Sequence, residues 1–520
     1  MSFTNLQELL GMAERENITI AELMIKTEEV QKGLSRETII EKMSEQFTVM
    51  EEAVRRGTES PVMSRTGLTG GDGNRLYEYT KSGNSFVNST TLQAAANALA
   101  VSEVNAAMGR IVATPTAGSA GVLPAVLVHA LDSGRFTRDQ VVQSTFTAAA
   151  LGLVIANKAS ILEVEAGCQA GIGSATAMAA GTLVELAGGT PKQVGNAVGI
   201  ALKNSLGLVC DSVAGLVGIP CIYRNGLHAI TALAAADMVL AGVSSMIPPD
   251  EVIQIMHEVG QQMPESLRET GMGGLAGTPA GQQIKEKILG GKSNASGPVK
   301  YQRAYEIIGP VMVEPSSSHT AGAVRIGNIA YQLLNEKPLF AKFTLMGSFA
   351  ETYQGHGTDL ALLAGVLGLT MMDDDIPNAK ELAEKNGLKY EFTKRVLGSY
   401  NPNTVLIELE GESHKIKVLA SSLGGGKVEV QEFDGYPLKF SGERPTLVIR
   451  HTDRNGVIAD LSWIIQEKGC NIARMGNERS KINGPAITVC EVDNTVDESL
   501  LAMLKREIPI IDEILLVQTV

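Results

Sequence analysis

From the first residues to about residue 290, apolar positions recur at three- and four-residue steps, the period of helices with one buried face. Thr4 followed by Gln7 has the form of a capping box ahead of Leu6, Leu9, Leu10 and Ala13, and Ser35 is positioned to cap a helix bearing Ile40, Met43, Phe47, Met50 and Val54. Beyond them lie apolar, alanine-rich segments near 91–108, 122–132, 139–156, 169–187, 191–206, 226–243 and 250–263, punctuated by Gly, Pro or Ser. Between residues 87 and 300 the aromatics are Phe136, Phe146 and Tyr223 alone, so these helices face one another with Ala and Gly. Such faces let backbones approach closely and predict a compact helical domain with a buried centre.

Residues 265–300 are rich in Gly, Ser and Thr and read as a loop followed by a linker. The texture then changes. Segments 339–346, 405–409, 415–419 and 428–431 alternate or run apolar like strands, with helical patterns at 321–335 and 358–368. From Pro445 the order is strand (446–450), helix (457–467), strand (472–479), strand (486–493), helix (498–505) and strand (511–518), a βαββαβ unit of the ferredoxin-like kind. The expected architecture is multidomain: an all-α domain over 1–290, an α/β domain over 297–440 and the βαββαβ domain over 445–520. Gly442 to Pro445 reads as a hinge before the last of these.

Length and composition agree. At ~100 to 200 residues per domain, 520 residues suit about three domains, and 44% apolar with 19% charged residues is a globular composition. A formal charge of −13 and the lack of a Lys/Arg run argue against nucleic acid as a partner. The amphipathic N-terminus predicts no export signal, hence a cytoplasmic protein. The most apolar stretch, 228–243, is interrupted by Asp237 and is too short to span a bilayer, so no membrane partner is expected. Five cysteines without an export signal point to reduced thiols or metal ligands rather than disulfides.

Cys168, Cys210 and Cys221 have the spacing C-x41-C-x10-C, which matches neither zinc ribbons nor ferredoxin runs. On spacing alone they read as three buried structural thiols. Their surroundings favour chemistry: each lies beside Gly, Pro or a small polar residue at an expected helix end, where backbone N–H groups stabilise a thiolate. Three thiolates would leave one iron of a four-iron cluster without a protein ligand, as a Lewis-acid catalyst requires.

A second group, Glu314-Pro315-Ser316-Ser317-Ser318-His319-Thr320, precedes a helical pattern, where hydroxyls and free N–H groups can hold a carboxylate; a plain serine-rich cap is the bland reading. In Gly355-His356-Gly357-Thr358-Asp359 a histidine lies between two glycines, with Asp359 as an orienting partner or helix cap. The loops 114–121 and 63–71 are polar and Gly-rich in an apolar domain, and either alone is also an ordinary helix connection.

Together these segments resemble the iron-sulfur-dependent L-serine dehydratases (L-serine ammonia-lyases) over nearly the whole chain. Residues 1 to about 290 are similar to the family's α portion, through the GCQA segment at Cys168 and the stretch from Cys210 to Asn225. Residues from about 297 to 440 are similar to the β portion, through Ser316 to Thr320, Gly355 to Asp359 and the turn Gly424 to Gly426. Residues 445–520 resemble an ACT domain, with Asp453-Arg454-Asn455-Gly456 at its first strand-to-helix turn and Asn471-Ile472 at its second strand. Some single-chain relatives place the β portion first and can end in a cysteine that reaches the cluster; here the α portion leads and the last residues are Gln518-Thr519-Val520.

The resemblance implies a [4Fe-4S] cluster on Cys168, Cys210 and Cys221, facing the substrate-binding loops of the α/β domain. It implies deamination of L-serine to pyruvate and ammonia, with His356 as the base and His319 holding substrate or serving as alternative base. Ser316, Ser317, Ser318, Thr320, Ser64, Thr66, Thr116 and Asn225 are the implied substrate contacts. An amino-acid effector at the ACT domain and a homodimer follow in the same way, the free edges of the last domain's sheet being covered by a second copy. Two rivals are a pyridoxal-phosphate dehydratase using Lys158 or the Gly424-Gly425-Gly426-Lys427 run, and a non-catalytic serine sensor, against which the three cysteines argue.

Overall fold

The computed structural model describes the chain except residues 1–2, 65, 214–217, 270, 272, 289–307, 309–310, 314–316, 348, 351–352, 354–355 and 396–402. The chain forms two compact units. The first comprises Met1–Ser317 together with His356, and the second Ser318–Tyr353 and Gly357–Val520.

The first unit is built from α1 (Leu6–Glu16), α2 (Ile20–Lys32), α3 (Arg36–Glu59), α4 (Asp72–Thr80), α5 (Ser89–Ala106), α6 (Val122–Asp132), α7 (Arg138–Lys158), α8 (Glu163–Ala166), α9 (Ser174–Leu186), α10 (Pro191–Ser205), α11 (Cys221–Leu240), α12 (Pro249–Gln262) and α13 (Pro279–Ile288). Small residues set how closely they pack. A Cβ on Gly57 of α3 would meet the Ala100 backbone carbonyl at 2.7 Å, and one on Gly73 of α4 would meet the Ala100 N at 2.6 Å, so both helices lie against α5 backbone to backbone. Helix α5 is consequently buried without interruption from Ala94 to Asn105. Helix α7 is long and apolar enough to cross a membrane, and it too is mostly buried within the unit.

Two expectations shift here. Ser35 caps α3 as predicted, accepting from the Thr38 N–H at 3.3 Å. At α1 the cap is Asn5, which accepts from the Glu8 N–H, while the Glu8 carboxylate accepts from the Thr4 N–H at 2.8 Å; the cap falls one residue later than Thr4 and Gln7 suggested and is not the reciprocal box expected. The unit is also not all-helical, because β1 (Arg110–Val112) pairs antiparallel with β2 (Val311–Val313). Three-residue strands have no period to read, and their partners lie far apart in the chain.

The second unit opens with α14 (Gly322–Leu334), followed by β3 (Phe340–Met346), α15 (Thr358–Val366), α16 (Ala379–Asn386), β4 (Lys389–Arg395), β5 (Thr404–Glu410), β6 (Lys415–Gly424) and β7 (Lys427–Phe433). The sheet order is β4-β3-β5-β6-β7, with β3 and β4 parallel and the other pairs antiparallel. Helices α14 and α15 touch through Gly327 and Gly365, whose added Cβ atoms would fall 2.7 Å from Leu362 O and 2.2 Å from Val324 O.

The remaining elements are β8 (Thr446–Thr452), α17 (Val457–Glu467), β9 (Ile472–Arg479), β10 (Pro485–Val492), α18 (Glu498–Glu507) and β11 (Ile511–Val517), in an antiparallel sheet of order β11-β8-β10-β9. Leu447, Ile449, Leu461, Ile465, Cys490, Leu500 and Leu504 form its own core. The segment expected to hinge is a packed joint. Gly442 takes φ +67°, and a Cβ there would meet Ile329 of α14 at 2.8 Å. Gly442 O accepts from the Val520 N–H at 3.1 Å, the Gln518 N–H donates to Gln332 at 2.6 Å, and Arg450 pairs with Asp434. The final strands are thus tied to α14 and the five-stranded sheet within one unit.

Candidate metal centre

Cys168 follows Gly167, whose φ of +72° and close approach to Met263 Sδ, 2.7 Å from an added Cβ, admit only glycine. The chain then makes a π-type turn, Gln169–Gly173, that leads into α9. Gln169 fastens this turn to the stretch before Cys210: its side chain donates to Met256 O at 3.0 Å and accepts from the Gly207 N–H at 2.9 Å, and its N–H donates to Leu208 O at 2.9 Å. Cys210 is held by an isolated bridge to Arg268, donating to Leu267 O at 2.8 Å and accepting from the Glu269 N–H at 2.7 Å. Cys221 is the first residue of α11. The three sulfurs, all buried, lie within 4.8 Å of one another.

Ser212 Oγ lies 3.7 Å from Cys210 Sγ and 3.4 Å from Cys221 Sγ. One turn into α11, the Arg224 guanidinium reaches Cys168 Sγ at 3.5 Å, Val209 O at 2.6 Å and Asp211 Oδ1 at 2.9 Å. Asp211 in turn accepts from the Leu275 N–H at 2.8 Å. Hydrogen bonds from Cys168 and Cys210, with Ser212 and Arg224 assisting, pull the Cys221 thiol well down despite burial. The Cys210 thiol, hydrogen-bonded to the other two and buried, is pushed well up. Without a cation the triad holds its protons unevenly; three thiolates at such separations require a positive centre. Soft, all-sulfur donors of this kind suit zinc or an iron–sulfur cluster.

Sequence reasoning missed two carboxylates beside the triad, because neither stands in a recognisable spacing. Glu163 is buried and accepts the Thr116 hydroxyl at 2.7 Å. Burial pushes its carboxyl up to about 7, opposed by the Thr116 hydrogen bond and reinforced by the charge of Cys221. Glu269, at φ +58°, is pushed well above the usual carboxylate range by desolvation and then by Glu163 and Cys221. Asp211, Ser212 and Arg224 lie within the stretch from Cys210 to Asn225, where the sequence alone assigns them no role.

The predicted site residues fall as follows. Thr116 is buried against Glu163. Asn225 gives both amide hydrogens to carbonyls, Gly118 O and Cys221 O at 2.9 Å, and accepts from the Gly121 N–H at 3.1 Å; it is a strut between the 114–121 loop and α11, with one Oδ1 lone pair left for a ligand. Ser64 accepts from the Thr69 N–H at 3.1 Å and Thr66 is exposed, in a loop whose Leu68 packs with Val213 and Ile219 of the cysteine segment. His356 is buried and belongs to the compact unit of the three thiols. Asp359, read from sequence as an orienting partner or helix cap, lies in the first turn of α15 and pairs with Lys380 of α16 at 2.7 Å.

In the second unit His319 lies in a π-type turn, Ser317–Ala321, that runs directly into α14; its ring is buried 5.7 Å from that of Phe349, and Thr320 is buried beside it. Ser316 and the side chains of Ser317 and Ser318 lie outside the described residues. Gly424, Gly425 and Gly426 all take positive φ in the β6–β7 hairpin, and Gly426 O accepts from Arg325 at 2.6 Å. Lys158 pairs with Asp250 at 3.3 Å. Neither segment has the form of a phosphate cradle beside a free lysine.

Residues 15–276 match the family model described as the serine dehydratase alpha chain, and residues 308–397 match that of the beta chain. The probable L-serine dehydratase alpha chain of Bacillus subtilis (strain 168) is 50% identical over 289 residues, 56% of this chain and 96% of that protein. The L-serine dehydratase alpha chain of Peptoniphilus asaccharolyticus is 42% identical over 283 residues, 54% of this chain and 97% of that protein. The probable beta chain of Bacillus subtilis (strain 168) is 38% identical over 208 residues, 40% of this chain and 94% of that protein. With the alpha-chain match spanning half of its length and the beta-chain match following, the chain belongs to the serine dehydratase family, carrying both portions in one polypeptide.

Proposed function

We propose that this protein deaminates L-serine to pyruvate and ammonia, a reading supported by relatives named L-serine dehydratase, alpha chain. The observation that carries the reading is the convergence of Cys168 ahead of a π-type turn, Cys210 on an isolated bridge and Cys221 at a helix start, with their sulfurs within 4.8 Å of one another. A [4Fe-4S] cluster held by these thiolates, with one iron lacking a protein ligand, would supply the Lewis acidity that the departing hydroxyl needs. Arg224 would offset part of the triad's negative charge, and Ser212 would donate to the sulfurs.

The protein's own groups handle the remaining steps. His356 takes the α-proton as the general base. His319, Thr320 and the hydroxyls of Ser316, Ser317 and Ser318, ahead of α14, bind the substrate carboxylate as a helix start favours. Thr116 binds substrate beside the triad, while Ser64, Thr66 and Asn225 shape the loops there. Loss of the α-proton and the hydroxyl yields 2-aminoacrylate, which tautomerises and adds water to give pyruvate and ammonia. The domain from β8 to β11 is assigned as an ACT-type regulatory module of the ferredoxin-like kind that binds an amino-acid effector and pairs in a homodimer. A cytoplasmic setting would keep the thiols reduced.

Anaerobic purification tests the reading. Brown protein with iron and acid-labile sulfide should form pyruvate from L-serine. Colourless, fully active protein would overturn the cluster assignment, and cluster-loaded protein that binds serine without turnover would make it a sensor.

A further inference from the structure

L-Serine carries three polar groups, and the proposed function, on which this inference rests, assigns two of them. The carboxylate goes to His319, Thr320 and the serine hydroxyls, and the hydroxyl to the metal centre. The ammonium is unassigned. It is a cation with three donors and requires acceptors of negative charge.

Glu163 supplies one. It lies on α8, five residues before Cys168, with a residue exposure of 9%. Among the described residues no ion pair to Glu163 is found, and this buried carboxyl shares its side of the triad with the partly exposed Glu269. A buried carboxylate lacking a cation is costly. The surroundings leave room for this carboxyl: an added Cβ on Gly171 would lie 1.9 Å from Glu163 Oε1 and displace it, and one on Gly118 would come within 3.2 Å of it. The Thr116 hydroxyl gives its single hydrogen to Glu163, the stronger acceptor, which leaves its oxygen to act as an acceptor. Ser119 Oγ, 2.9 Å from Thr116 Oγ1 and 3.1 Å from Thr114 O, braces the same loop. A carboxylate with a hydroxyl oriented by it makes an acceptor pair matched to an ammonium.

We infer that Glu163 is the residue that recognises the ammonium group of the substrate, with Thr116 as the positioning residue that orients it. Glu163 thereby distinguishes 2-amino acids from hydroxy acids of the same shape.

The test compares L-serine with 3-hydroxypropanoate, which is serine without its ammonium, as substrate and competitive inhibitor of the anaerobic holoenzyme, alongside calorimetric binding of each. Glu163→Gln, at unchanged iron and sulfide content, should raise KM for L-serine by about 10- to 100-fold with kcat within a few-fold, because the ammonium contact is alike in ground and transition states. The inhibition constant of 3-hydroxypropanoate should change less than about threefold, and Glu163→Asp should recover part of the serine affinity. Thr116→Val, which keeps the side-chain shape, should weaken serine alone by a few-fold, and it decides the matter should Glu163→Gln lose its cluster. Equal weakening of both ligands, or an unchanged KM for serine, would overturn the inference. Wild-type protein that selects serine over 3-hydroxypropanoate by calorimetry but forms no pyruvate would overturn the proposed reaction and leave the ammonium site standing.

Discussion

Arg224 approaches the sulfur of Cys168 at 3.5 Å from one turn beyond Cys221, so the helix that begins with one thiol brings a cation to another. The same guanidinium pairs with Asp211 at 2.9 Å, which fixes its plane and locks the residue after Cys210 into the arrangement. Its charge favours the thiolate forms of Cys168 and Cys221. Arg224→Met should therefore weaken metal retention by about tenfold or more, as removal of an outer partner of metal ligands usually does. Iron content after anaerobic gel filtration, and thiol titration of the metal-free protein, which should move to higher pH, check this.

Replacing Cys168, Cys210 or Cys221 by Ser should abolish colour, iron and turnover together. Cys470 and Cys490 lie in the core of the last module. Burial pushes the Cys490 thiol up to about 12, so it is unreactive at neutral pH. Cys490→Ala should cost about 1 kcal/mol of stability and keep full iron content. Iron and sulfide assays on these four single variants decide between the two groups.

His356→Ala should lower kcat by about 10²- to 10⁴-fold and leave the cluster absorbance unchanged, because a base is needed only as the α-proton departs. Wild-type kcat in that variant would pass the role to His319.

The joint at Gly442 predicts that the last module does not swing freely. Gly442→Ala places a side chain at φ +67° and 2.8 Å from Ile329, and should destabilise the second unit by about 1–3 kcal/mol. Because α14 carries His319 just ahead of its first turn and Gln332 against Gln518 near its end, Gln332→Ala or Arg450→Met should alter the dependence of rate on serine concentration. Thermal unfolding and steady-state kinetics measure the two effects; unchanged values in both would make the joint inert.

Asp453, in the Asp453-Arg454-Asn455-Gly456 turn, accepts from the Asn483 N–H at 3.1 Å and from Arg479 at 2.9 Å, which hold its carboxyl below the usual range. A depressed carboxyl contributes stability above its unfolded value of 3.8 and loses it as pH falls through the folded one. Amide exchange at Asn483 should accordingly quicken below pH 3.8 in the native chain, whereas Asp453→Asn should be faster at neutral pH and flat on the acid side.

Elements with strong periodic patterns were legible from residues alone. Segment 122–132 became α6 with the same bounds, 457–467 became α17, and 472–479 became β9; α17 buries Val457, Leu461, Ile464 and Ile465 at the helical period, whereas α6 is an unbroken apolar run buried on nearly every side and β9 is a largely exposed strand delimited by the residues around it. The motif residues Cys168, Cys210, Cys221, His319 and His356 were equally legible as candidates, since small residues around a thiol or histidine stand out in alanine-rich or apolar surroundings.

What lies between those elements was decided only in three dimensions. The β1–β2 pair, α16 and β4 depend on partners distant in sequence, and Asp359 gains Lys380 as its partner because α16 packs across from it. Gly442 looked like a hinge, since glycine next to a charged pair reads locally as freedom; tertiary packing against Ile329 makes it a joint. Glu163 and Glu269 carry no sequence signal at all. A carboxylate becomes functional through what surrounds it, and its neighbours here, Thr116, Gly171 and Cys221, are assembled from helix ends and loops that only the folded chain brings together.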